Sequence, residues 1–106
     1  MTSTWQAELE AASRARLSGN EVRARVCARR AAGIAARDFL TRHGVHLRTR
    51  NTLEALRTLE QFPGLAPDLR SAAAHLTWRV GEQFSLPSDI DLLADARLLC
   101  DNLLSG

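Results

Sequence analysis

Arg23, Arg30 and Arg37 stand seven residues apart, which places three guanidiniums along one line of a helix. Each guanidinium presents a fork of donors that matches a phosphate or a carboxylate. The line therefore suits a nucleic-acid phosphate track, salt bridges to acidic residues, or a simply solvated helix face. A second arrangement is RSAAAH, where Arg70 and His75 enclose four residues and a permanent cation precedes an imidazole that titrates near neutrality. Five positions along a regular helix turn by about 140°, so these side chains flank a core stripe and converge only through a kink or across two chains. Chance alone gives about one arginine followed by a histidine after four to six intervening residues in this composition, and the chain has two, the other being Arg37 to His43. Trp78 and Arg79, a turn beyond His75, suit a nucleotide or a partner, though a tryptophan there also suits core or a dimer surface.

Other chemistry-bearing signals are sparse. There is no glycine-rich phosphate loop, no GxSxG and no metal-spaced His/Cys cluster. His43 and His46 lack a third ligand, so they are read as favourable charges at a helix C-terminus, and neither a metal nor a cofactor is expected. Cys27 and Cys100 have no CxxC spacing and read as buried thiols of a reducing compartment.

The elements that must position these residues are helical throughout. A first helix is predicted over about 4–17, with apolar positions Trp5, Leu9, Ala12 and Leu17. A second, over about 21–42, ends at His43-Gly44, where glycine can take the left-handed turn that closes a helix. This helix is apolar on two sides: a broad face of Ala24, Cys27, Ala28, Ala31, Ile34, Ala35 and Phe39, and a narrower one of Val22, Val26, Gly33 and Leu40. It must be covered on both, and its small residues let neighbours come close. Asp38 projects toward the broad face, where it can pair with Arg42 or Arg37 or enter a polar site. A third helix begins at the capping pair Asn51 and Glu54 and stops at Phe62-Pro63-Gly64. A fourth begins near Pro67-Asp68 and carries Leu69, Ala72, Ala73, Leu76 and Val80. A fifth follows Ser88 and Asp91 and carries Leu92, Leu93, Ala96, Leu99, Cys100, Leu103 and Leu104. The expected fold is an all-α, up-and-down bundle of four to five helices in one domain, residues 1–106. At this length roughly 65% of the unfolded chain's surface can be buried.

Charge is unevenly spread. Residues 1–50 hold ten arginines against four acids (+6), and residues 51–106 hold four against eight (−4). Such a dipole gives the basic half an attraction for phosphate, lets two chains pair head to tail, or lets the halves complement each other. The polar, acidic start MTSTWQAELE and the short apolar runs predict neither a signal peptide nor a membrane span. A cytoplasmic protein is expected.

The stretch ARRAAGIAARDFLTRHGVHLRTRNTLEALRTLEQFPGLAPDLRSAAAHL, followed by FSLPSDIDLLADARLLCDNLL, resembles the higher-eukaryote-and-prokaryote nucleotide-binding (HEPN) domain over about residues 5 to 104. The marks are the small-residue central helix ending in Phe39, Leu40 and Gly44, the polar loop into Asn51-Thr52-Leu53, the proline turn at Pro87 and the terminal Leu-rich helix. The resemblance implies a dimerising bundle of the kind found in toxin–antitoxin ribonucleases, in partners of minimal nucleotidyltransferases and in inactive binding versions. In the family's ribonucleases an arginine, a polar residue and a later histidine form the site, and Arg70, Ser71 and His75 match that order. The resemblance then implies that Arg70 would hold the scissile phosphate and His75 would move a proton at the ribose 2′-OH or the leaving oxygen, without metal. An alternative alignment puts the motif at GEQFSLP, where Ser85-Leu86-Pro87 lacks its arginine and tyrosine, which implies a binding copy. Three functions thus stand as expectations: a module binding a nucleotide, RNA or a partner such as a nucleotidyltransferase or antitoxin, a metal-independent endoribonuclease, or a structural homodimer without ligand.

Overall fold

Asn20, Asn51 and Asp91 each turn a side-chain oxygen onto the first amides of the helix that follows: Asn20 onto Arg23, Asn51 onto Leu53 and Glu54, and Asp91 onto Leu93 and Ala94. These contacts satisfy donors that have no partner inside a helix. The computed structural model describes residues 4–48, 51–77 and 91–104. Among them are five helices and no strand: α1 (Thr4–Leu17), α2 (Glu21–Arg42), α3 (Thr52–Glu60), α4 (Pro67–Thr77) and α5 (Leu92–Leu104). Gly44, at φ +80°, closes α2 as expected, and the Val45 amide returns to the Leu40 carbonyl at 2.8 Å. Ser88, Val80, Trp78, Arg79 and the GEQFSLP stretch lie outside the described residues.

α2 is the central element and meets all four other helices. One contiguous core joins Ala12 of α1, the alanines of α2, Leu56 and Leu59 of α3, Leu76 of α4, and Leu92 and Leu99 of α5. Among the described residues every buried side chain is apolar, so the arginines and acids all work at or near the surface. Gly33 shows why α2 must be thin: a Cβ built on it would sit 2.5 Å from Thr52 Cγ2 and 3.2 Å from Thr52 Cβ. The glycine is what lets the start of α3 lie against the middle of α2.

Three expectations about the apolar faces need correction. Val22 and Val26, assigned to a covered narrow face, are 74% and 38% exposed; that face is closed only from Gly33 onward, where Ala36 and Leu40 are buried. Leu17 is 87% exposed because α1 ends there and the chain turns away through Ser18-Gly19. Ala32 and Ala36, absent from the predicted faces, are fully buried, since α2 is wrapped over a wider arc than its larger apolar residues mark.

Candidate functional site

Among the described residues, the four arginines and one histidine expected at a site divide into two groups. Arg23 and Arg30 are exposed and Arg37 half-buried along the solvent side of α2. Among the described residues their guanidiniums make no hydrogen bond or ion pair. The two acids of α2 are already occupied: Glu21 by Arg16, and Asp38 by Arg42 at 3.0 Å. The helix thus carries three aligned cations that engage no anion among the described residues.

Arg70 is differently placed. It lies in the first turn of α4, and its guanidinium reaches back over the α3–α4 connection to donate to the carbonyls of Glu60, Phe62 (3.2 Å) and Leu65 (3.3 Å). Those carbonyls lie at and just beyond the end of α3, where only that of Phe62 also accepts a backbone amide outside the helices, from Leu65, so one planar fork fixes the turn. Arg70→Ala is expected to lower stability by about 1–2 kcal/mol, and Arg70→Lys to recover little, because an ammonium cannot span three carbonyls. Urea unfolding of the two variants checks this; full recovery by lysine would mean that charge alone matters.

His75, on the other side of α4, turns to α5, with Nδ1 3.0 Å from Asp95 Oδ2. Burial raises the Asp95 carboxyl above its ordinary value, against the opposing pull of its hydrogen bond to His75. Arg70 turns to the α3–α4 connection and His75 to α5, and among the described residues no hydrogen bond joins the two. His43, by contrast, caps α2 as expected: its Nδ1 lies 2.8 Å from the Phe39 carbonyl. Its ring stands 4.1 Å from that of Phe39 and 5.4 Å from that of Phe62. Among the described residues no three His, Cys, Asp or Glu side chains gather as for a metal. Cys27 and Cys100 are free, buried thiols, and burial pushes Cys100 up to about 12.

Sequence reasoning missed two arginines. Arg29 is half-buried and donates Nε to the Leu76 carbonyl at 3.2 Å; burial, with Arg25 one turn away, lowers its pKa. Arg16 at the end of α1 clasps Glu21 at the start of α2 through two hydrogen bonds of 3.1 and 2.7 Å, and Asp91 before α5 through two of 3.0 and 3.1 Å. A basic residue in the last turn of one helix and acids at the starts of two others was the available signal, but it does not say which meet. The hydrogen bond from Arg16 lowers the Glu21 pKa. Burial alone would raise Asp91, but Arg16 and the amides of Ala94 and Leu93 outweigh it and lower that one as well.

Carboxyls depressed by folding add stability above their unfolded pKa values and lose it as pH falls through the folded ones. The clasp should therefore weaken on acidification below the ordinary carboxylate range. It is partly exposed and worth roughly 1 kcal/mol. Arg16→Ala should melt lower than wild type at pH 7, and the gap should narrow as the pH is taken down through and below the ordinary carboxylate range; a gap that stays constant would show that the clasp does not stabilise the fold.

Among the described residues no helix is long and apolar enough to cross a membrane. No protein-family model, curated protein or solved structure matches the chain.

Proposed function

We propose that the chain is a HEPN-like helical bundle acting as a binding or regulatory module, with α2 as its contact surface. The observation that carries this reading is the row Arg23, Arg30 and Arg37, without an ion pair among the described residues, on a helix whose own two acids are engaged elsewhere. Its ligands by chemistry are anions: RNA, a nucleotide, or an acidic surface on a partner such as a minimal nucleotidyltransferase or an antitoxin. A homodimer belongs to the same reading through the family resemblance. The test is fluorescence polarisation with labelled RNA, a nucleotide and an acidic peptide at low and high salt. Binding should weaken with salt and vanish in the triple Arg23→Ala, Arg30→Ala, Arg37→Ala variant. Failure of the wild-type chain to bind any anionic probe at low salt would overturn it.

The His75–Asp95 contact favours a second reading, a metal-independent endoribonuclease. A carboxylate that fixes one ring nitrogen orients an imidazole for proton transfer, and the His75 side chain keeps 30% of its surface exposed. Against it, Arg70 would have to release three carbonyls to hold a phosphate. RNA cleavage in EDTA that is lost in both His75→Ala and Arg70→Ala supports this reading; intact RNA removes it.

A further inference from the structure

Residues 22, 26, 29, 33, 36 and 40 of α2 follow one another at spacings of four, three, four, three and four, the a and d positions of a heptad, and so form a single seam along the helix. Its second half is a packed helix interface: Gly33 lies against Thr52, and Ala36 and Leu40 are fully buried. Its first half is open, with Val22 74% and Val26 38% exposed. Arg29 marks the boundary, half-buried against the Leu76 carbonyl.

In this register Arg23, Arg30 and Arg37 fall on the e positions and Arg25 on a g position, the sites that set partner choice in helix pairing. Arg25 lies only 3.7 Å from Glu21, which Arg16 already holds at 2.7 Å. Beside the open valines the flanks are thus basic on both sides.

We infer that the open half of the α2 seam docks one amphipathic helix of a partner protein, with apolar side chains on its inner stripe and carboxylates beside them. This rests on the binding reading above and names its partner. Two facts point there: the seam continues an interface already used within the fold, and its flanks are of one sign. A second copy fits poorly. Symmetric pairing sets arginine against arginine, and among the described residues the exposed large apolar side chains are Leu17, Val22 and Val26, so no acid-flanked apolar stripe is on offer. An RNA strand would engage the guanidiniums and leave the valines in water. The open stretch, residues 22 to 30, is about 12 Å long, which suits a weak, exchanging contact.

The test uses three fluorescent probes on the whole chain: a synthetic helix of about three heptads with Leu at a and d and Glu at e and g, the same helix with Lys replacing Glu, and a single-stranded RNA. The Glu helix should bind and the Lys helix should not. The Val22→Ser, Val26→Ser double variant changes only exposed sites and should keep the wild-type circular dichroism. It should lose at least about tenfold in Glu-helix affinity without losing affinity for RNA. Equal Glu-helix binding by wild type and the double serine variant overturns the inference. So does absence of Glu-helix binding, and if RNA still binds through the arginines the broader reading survives. Protection of Val22→Cys from maleimide in the isolated chain, against wild type as the control for Cys27 and Cys100, also overturns it, because the seam would then not be open to a partner.

Discussion

Leu99→Ala is expected to remove about 3–5 kcal/mol of unfolding free energy, the upper part of the range for buried leucines. Leu99 is fully buried in α5, the helix whose Cys100 Sγ reaches the Ala31 carbonyl of α2 at 3.7 Å. The cost depends on how far the surroundings collapse into the void, and α2 contributes alanine methyls, which have no rotamer that can swing inward. Domains of this kind hold about 5–15 kcal/mol in total, so the variant should melt roughly 10–30 °C lower. Leu104→Ala, at a half-buried position of the same helix, serves as the internal comparison and should cost less than half as much. Equal losses in the two variants would show that enclosure does not set the penalty.

Gly33→Leu should be the next most damaging single change, at about 3 kcal/mol from overpacking. Alanine at this site is the informative contrast. It gains up to about 1 kcal/mol of helix propensity but puts a Cβ 2.5 Å from Thr52 Cγ2. Rotating Thr52 does not clear the clash, because its Cβ lies 3.2 Å from the same point. Gly33→Ala alone should therefore destabilise, whereas Gly33→Ala with Thr52→Ser, which deletes the methyl at 2.5 Å but keeps the Cβ at 3.2 Å, should recover part of the loss. A double-mutant cycle by urea unfolding measures this coupling; additivity would mean the two residues do not meet.

What could be read in advance was what neighbouring residues decide among themselves. Asn51 capping α3, Gly44 closing α2 and Pro67 opening α4 are settled within one turn of chain, and all three stand where the sequence puts them. The two-sided apolar pattern of α2 correctly demands neighbours on two sides. It cannot say how far along the helix each neighbour runs, so it puts Val22 and Val26 on a covered face that begins only at Gly33. The arginines are the least legible. Arg16 meets Asp91 across 75 positions and Arg70 reaches carbonyls five to ten positions back, and a long side chain's direction depends on tertiary packing that no local period encodes. Likewise Asp95 reads only as a polar residue among leucines until α4 brings His75 beside it.

The alanine lining of α2 has a thermodynamic corollary. A methyl group has no rotamers to freeze, so sequestering Ala24, Ala28, Ala31, Ala32, Ala35 and Ala36 gives up no side-chain disorder, whereas each leucine brought against them surrenders about 0.5–1 kcal/mol of it. The side-chain share of the entropic expense of closing the bundle therefore falls mainly on the outer helices.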